Sequence, residues 1–294
     1  MTALPSRAGT VVPTTTRTMR RWSLHRLGPG TRMVLTMLLV LAFVSPLAWA
    51  AYASVSPQGD SSQQDGFGFG NYEALVHFQA GLGRYFLNSL FVALLTVALV
   101  LFISTLAGYA FARFAFPGKN VLFILILGIL MVPAASLLIP LYVLLNTLGL
   151  SNSLIGLALV LAMYQLPFAV FMMRIAFEGL PMELEEAAVM DGASSPRTLW
   201  SVLIPSVTPG MITVGLFVFL ASWNDFVAPL ILINDPDKAP LPLAIASIRQ
   251  QTLGSIDYGA TEAGVVVLAI PCVVLFLVLQ RFYVRGFMTG ALKG

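Results

Sequence analysis

Charge is what this chain has least of. Only 10% of its 294 residues are Asp, Glu, Lys or Arg, while 58% are hydrophobic. A water-soluble domain carries roughly 25% charged residues, so a deficit this large excludes a chain that faces water on all sides. Length alone would allow one or two soluble domains; composition replaces them with one membrane-embedded bundle. Cysteine is nearly absent too: Cys272 stands alone, which excludes an internal disulfide, and its apolar run suits a buried, inert thiol. Histidine is limited to His25 and His77, which the topology below puts on opposite sides of the membrane, so no metal site is expected. A net charge of +3 is modest, and without a concentrated basic face it gives no reason to expect nucleic acid as a partner.

Catalytic signatures are missing as well. Gly118-Lys119-Asn120 lacks both the preceding glycine and the hydroxyl of a phosphate-cradling loop, and no Gly-x-Ser-x-Gly nucleophile elbow occurs. Gly66-Phe67-Gly68-Phe69-Gly70 has neither strand nor helix framing it and does not read as a nucleotide loop. The carboxylates gather in one loop rather than in a pocket. No enzyme activity and no cofactor are therefore expected, and the energy for any uphill transport must come from a partner or an ion gradient.

What is present is long apolar runs. A transmembrane helix needs about 20 mostly apolar residues, and charges mark the limits here. No charge falls between Arg32 and Asp60, or between Arg84 and Arg113. The uncharged stretch from Lys119 to Arg174 is too long for one helix, and the turn chemistry of Asn146-Thr147-Leu148-Gly149-Leu150-Ser151-Asn152 divides it in two. A fifth span is expected over about 209–233 and a sixth over about 263–283. The expected fold is all-α: a polytopic membrane helix bundle with six transmembrane helices. All but three of the 16 Lys and Arg residues then fall on one side, the exceptions being Arg84, Lys238 and Arg249. The positive-inside rule puts that side, with both termini, in the cytoplasm of a cell whose inner membrane the chain crosses repeatedly.

The expected organisation is a basic cytoplasmic extension over 1–32, a first span over 33–55, an external loop over 56–84, a five-helix transmembrane domain over 85–284 and a cytoplasmic tail over 285–294. The first apolar run is long for a signal peptide and lacks a small-residue cleavage site, so it reads as a retained span. Residues 54–83 are rich in Gly, Ser and Gln and read as a flexible external loop. Pro46, Pro133, Pro140, Pro167, Pro229 and Pro271 punctuate the spans; singly each is an ordinary bend, and together they suit a bundle that moves.

One connection, residues 177–208, differs from the rest. Pro181 suits a first helical position, Glu183, Glu185 and Glu186 suit the positive end of a helix, and Gly192 suits its stop. Ser195 and Pro196 suit the start of a second helix, which Pro205 is expected to end. Leu184, Ala187 and Ala188 should form one apolar face, and Leu199, Trp200 and Leu203 another. A cap packed on its own bundle and a docking element for another protein both fit these local features.

Glu186-Ala187-Ala188, Asp191-Gly192-Ala193 and Val202-Leu203-Ile204-Pro205 resemble the Glu-Ala-Ala loop of ABC importer permeases, with Val202 and Ile204 as conservative departures. Arg84-Tyr85-Phe86-Leu87-Asn88-Ser89-Leu90, Ile139-Pro140-Leu141-Tyr142, Ser222-Trp223-Asn224-Asp225-Phe226 and Gln280-Arg281-Phe282-Tyr283-Val284-Arg285-Gly286 look like the carbohydrate-uptake branch, most like its smaller maltose-type permease subunit. The likeness covers about 71–294, and Asp225 stands where glutamate is expected. The resemblance implies a second, homologous permease, two cytoplasmic ATPase subunits docking on the loop, where Glu186, Ala187, Ala188, Asp191, Gly192, Ala193, Trp200 and Pro205 lie, and an extracellular sugar-binding protein. The substrate would be a sugar of the oligosaccharide type.

Trp223, Asn224 and Asp225 fall inside the expected fifth span, where a charge is costly and faces protein or a water-filled cavity. Trp223 could stack on a sugar ring; equally, the polar pair could hold helices together. The alternatives to a sugar importer are an ABC permease for another solute and a gradient-driven transporter, although Asp225 is the only intramembrane charge and no repeat is seen. A channel-like pore would not require an ATPase-docking loop. The topology is testable: Ser61→Cys should react with an impermeant thiol reagent on intact cells and Thr18→Cys should not, and the reverse pattern would invert the orientation.

Overall fold

The computed structural model describes residues 28–57, 66–251 and 258–291, the side chains of 249–251 and 281–291 excepted. The N-terminal extension, apart from its last few residues, and the middle of the external loop therefore lie outside the described residues. The chain divides into two compact units, Met1–Pro46 and Leu47–Gly294. In the first, the described residues are the opening of helix α1 (Pro29–Val55), whose side chains there are exposed.

The second unit, among the described residues, is helical and contains no strand. Its elements are the end of α1, α2 (Gly70–His77), α3 (Leu82–Arg113), α4 (Lys119–Gly128), α5 (Ala134–Thr147), α6 (Leu154–Glu178), α7 (Glu183–Met190), α8 (Ser195–Thr198), α9 (Ile204–Trp223), α10 (Val227–Leu232), α11 (Leu241–Gln251) and α12 (Tyr258–Ala291). Among the described residues five helical stretches are long and apolar enough to cross a membrane, and the spans number six when the bent pair Lys119–Met131 and Ala134–Thr147 is counted as one. Helices are what such a composition demands, since a backbone in lipid must satisfy its own hydrogen bonds.

Helix α3 runs through the middle of the packing. Val100 and Tyr109 join Met173 and Phe177 of α6 and Val214 and Val218 of α9 in one apolar cluster. Val92 joins Leu138, Leu157 and Leu232 in a second, and Tyr85 and Ala93 join Phe219, Trp223, Leu241 and Ile245 in a third. The α3–α6 contact is close because Gly108 has no side chain. A Cβ there would sit 2.6 Å from Met173 Cβ and 2.8 Å from its carbonyl carbon. Thr96 Oγ1 donates to the Ala158 carbonyl across the same interface at 3.3 Å. Small residues and interhelical hydrogen bonds are the means by which membrane helices associate, because lipid supplies no hydrophobic drive between them.

Four sequence expectations need correction. The third span is not one helix: its halves meet at 100° across Val132 and Pro133, since proline has no N–H and pushes the preceding residue, Val132 (φ −83°, ψ 122°), into extended backbone. The helix begun at Ser195 does not stop at Pro205 but runs to Trp223 as a single span. A π-helical turn over Leu199–Leu203 precedes Pro205, and Ser206 and Thr208 hydroxyls bond back to the Val202 and Ile204 carbonyls. The fifth span does not continue helically to 233: it breaks after Trp223 and resumes as the short α10. The external loop is partly ordered helix, because Asn71, fully buried in α2, donates from Nδ2 to the Ser54 and Ser56 carbonyls, each at 2.9 Å. Helix α11 was not anticipated.

Gly108→Val should destabilise the protein by about 1–3 kcal/mol through overpacking. Its melting temperature in detergent should fall clearly, whereas Gly128→Ala, which meets nothing within 4 Å, should leave it unchanged.

Candidate functional site

The connection between α6 and α9 is two short helices set by local chemistry. Glu183, Glu185 and Glu186 occupy the first turn of α7, where carboxylates favour the positive end of the helix. Its stop is a Schellman motif: Gly192 N–H donates to the Val189 carbonyl at 2.9 Å and Ala193 N–H to the Ala188 carbonyl at 3.0 Å. Gly192 sits at φ +77°, the left-handed region that glycine enters without a Cβ penalty. Ser194 is extended, and Ser195, Pro196, Arg197 and Thr198 form α8, with proline in its opening turn.

The two expected apolar faces divide. Ala188 is buried in its own chain (8% exposed), as are Leu199 and Leu203. Ala187, Leu184, Glu186, Asp191 and Pro205 are exposed, and Ala193 is half-buried. Of the expected faces Leu184, Ala187 and Trp200 (58% exposed) point outward, and Met182, Val189 and Met190 (87% exposed) join them. Of the alanine pair, then, one packs and one is available.

Beneath this surface, α7 is bolted to the end of α3. The Arg113 side chain, only 7% exposed, lies 3.4 Å from Glu185 Oε2 through Nε. Its Nη2 donates to the Leu180 carbonyl at 2.9 Å and its Nη1 to Met182 Sδ at 2.8 Å. Tyr109 OH donates to Glu185 Oε1 at 3.1 Å. Sequence reasoning counted Arg113 only as a topological charge. The available signal was a tyrosine and an arginine four apart, hence on one helical face, at the last turn of a span.

At the other end of α9 lies the break. Trp223 is fully buried. Its Nε1 donates to the Leu268 carbonyl of α12 at 2.9 Å, Phe219 stacks on it at 5.6 Å, and Phe86 meets it edge-on at 5.3 Å. Buried among these groups, the ring joins α9 to α3 and α12 in this structure. Asn224 is exposed, with Nδ2 donating to the Leu220 carbonyl at 2.8 Å. Asp225 Oδ1 accepts from Ala228 N–H at 2.9 Å and so starts α10. The loop and the break are not brought together; the 20 residues of α9 separate them, about 30 Å at 1.5 Å per residue.

Known proteins are similar to this chain. The family described as binding-protein-dependent transport system inner membrane component matches residues 101–286. The diacetylchitobiose uptake system permease protein NgcG of Streptomyces coelicolor is 34% identical over 252 residues, covering 84% of this chain and 83% of that one. The trehalose transport system permease protein SugB of Mycobacterium tuberculosis is 33% identical over 270 residues, covering 89% and 96%. Among solved structures, a chain of a bacterial ABC transporter involved in import of the acidic polysaccharide alginate superposes with a TM-score of 0.74 at 23% identity, covering 86% of this chain and 95% of that one.

Trp223→Ala should remove about 3–5 kcal/mol of packing. The amount of assembled protein should drop while the solute preference of what remains is unchanged; an altered preference at normal abundance would restore the pathway role. Gly192→Ala should cost roughly 1–2 kcal/mol at its left-handed backbone, read as a lower melting temperature.

Proposed function

Because the chain belongs to the family of binding-protein-dependent transport system inner membrane components, we propose that it lines the translocation path of an ATP-driven sugar importer together with a homologous permease. It is a multi-pass inner-membrane permease, and ATP hydrolysis resides in separate subunits. The substrate class in this reading is an oligosaccharide, supported by the carbohydrate-branch motifs and by relatives named for diacetylchitobiose and trehalose. A sugar-binding protein delivers the solute from outside, both termini face the cytoplasm, and two ATPase subunits dock below.

The observation that carries the reading is the outer surface of the α7–α8 loop. Met182, Val189, Met190 and Trp200 are exposed on an element that is too polar to lie in lipid, with Glu183 and Glu186 beside them. Apolar side chains exposed in that way mark a protein-docking surface. An ATPase groove with apolar walls and a basic rim would fit it. Glu186, Ala187, Asp191 and Gly192 belong to this docking element, with Ala188, Ala193 and Pro205 shaping it from behind.

Mechanically, α8 is continuous with α9, so closure of the ATPases on the loop moves the helix that ends at Trp223. Asn224, exposed at that break, and Asp225 then offer an amide and a carboxylate to sugar hydroxyls. Transport requires two states that both ends bias. Here one end is biased by nucleotide and the other by the loaded binding protein.

The test is co-purification and uptake. Met190→Asp and Trp200→Asp should insert normally, lose the ATPase subunits, and reduce uptake of the solute carried by the cognate binding protein at least about tenfold, the effect of about 1.4 kcal/mol or more. Normal ATPase retention with normal uptake in both variants would remove the docking role. Uptake that persists without ATPase and collapses with the proton or sodium gradient would support a secondary transporter instead.

A further inference from the structure

Every span but one is interrupted by proline. Pro46 lies in α1, Pro140 in α5, Pro167 in α6, Pro209 in α9 and Pro271 in α12, and the α4–α5 span is bent outright. Helix α3 has 32 residues and no proline. Sharp helix kinks are found at proline, Gly/Ser pairs, π-bulges or inserted groups; α3 has no proline and no π turn and runs as one continuous helix through Ser104 and Gly108.

Both its ends are fastened to elements that lie beyond the spans. At one end Arg113 and Tyr109 hold Leu180, Met182 and Glu185 at the start of α7. At the other, Arg84 Nε donates to the Asp237 carbonyl at 2.9 Å, and Asn88 Nδ2 donates to the Asp237 and Ala239 carbonyls at 3.0 and 3.1 Å. Leu241 N–H donates to Ser89 Oγ at 2.7 Å in a buried contact. The segment 234–241 is held from a second direction by Asn152 Oδ1, which accepts from Asn234 and Asp235 N–H at 3.0 and 3.2 Å. It is therefore tied at several points along its length rather than a loose loop.

We propose that α3 is a force-transmitting rod joining the α7–α8 loop to the 234–241 segment at the opposite end of the bundle, with Arg113 as the positioning residue at one end and Asn88 at the other. The proposal rests on the reading of the α7–α8 loop as the ATPase-docking element. Nucleotide-driven displacement of α7 pulls on Arg113, the unkinked helix carries the displacement across the membrane, and Asn88 delivers it to 234–241. Binding at 234–241 is felt at α7 by the same route, as linkage requires. The alternative route through α8 and α9 passes a π turn, Pro205, Pro209 and the break after Trp223, each of which absorbs movement.

The experiment uses the complete complex in proteoliposomes: this chain, its partner permease, the ATPase subunits, and the cognate binding protein purified with its bound solute. The reading is the factor by which the binding protein stimulates ATP hydrolysis, with ATPase retention measured in parallel. Arg113→Gln should keep the ATPase subunits yet lower the stimulation factor at least about fivefold, the low end of a site-to-site coupling. Asn88→Ala should do the same from the far end. Because the two residues are roughly 40 Å apart along the helix, independent effects would multiply; two ends of one rod act in series, so the double variant should be no worse than the weaker single. If Arg113→Gln yields no folded permease in the membrane, Arg113→Lys takes its place in the same cycle.

Unchanged stimulation in the single variants, or multiplying losses in the double, overturns the rod. ATPase subunits lost on Arg113→Gln would overturn it as well, since Arg113 would then only hold the docking surface in place. ATPase subunits absent already from the unmutated complex would sink the docking reading, and the rod with it.

Discussion

The close approach of α3 and α6 at Gly108 is the constraint on which the rest of the packing depends. In lipid, apolar side chains gain nothing by leaving the solvent, so two helices stay together through van der Waals contact and hydrogen bonds alone. A missing side chain facing Met173 lets the backbones approach, and the Thr96 bond to the Ala158 carbonyl fixes their register. With that pair set, α3 presents Val100 and Tyr109 to one cluster, Val92 to a second, and Tyr85 and Ala93 to a third. Helices α9, α10 and α11 pack against surfaces that the α3–α6 pair creates.

The same pair positions the polar end of the molecule. Arg113 ends α3 with its head largely withdrawn from solvent, and a withdrawn guanidinium is tolerable only where its donors and its charge are met. The Glu185 carboxylate meets the charge, and the Leu180 carbonyl and the Met182 sulfur accept from the two Nη groups, while Nε is ion-paired with Glu185 without a hydrogen bond. This gives α7 a fixed seat although it is only eight residues long, too short to hold its helical form alone. Helix α7 is stable because of where it is moored, and its outward residues are free to meet another protein.

Much of this was legible in the sequence. Charge spacing located the spans, and the Glu-rich turn, Gly192 and Pro196 marked the loop helices within a residue or two, because caps and breakers are local effects. The misses are tertiary. Pro133 was read as one bend among several, yet only its packing decides that it turns the chain by 100°. Pro205 was read as a stop, because a π turn upstream and hydroxyls downstream that accommodate it leave no mark in composition. Trp223 was offered as a sugar platform; burial between Phe86, Phe219 and α12 could not be seen without knowing which helices adjoin. Helix α11 carries too mixed a pattern to stand out. The Arg113–Glu185 link spans distant stretches of chain, and a single sequence gives no sign of such pairs.

The π-helical turn over Leu199–Leu203 has a consequence for how the chain evolves. A π turn holds one residue more than the α-helical turn it replaces. Losing a single residue there would restore an ordinary α-helical turn, so the segments on either side would keep their relative orientation. The α7–α8 surface before the turn and the span after it would keep their places, and only residues within the turn, Trp200 among them, would change their facing. The turn is thus a place where the chain can gain or lose a residue, altering the outer face locally at Trp200, without the core being repacked.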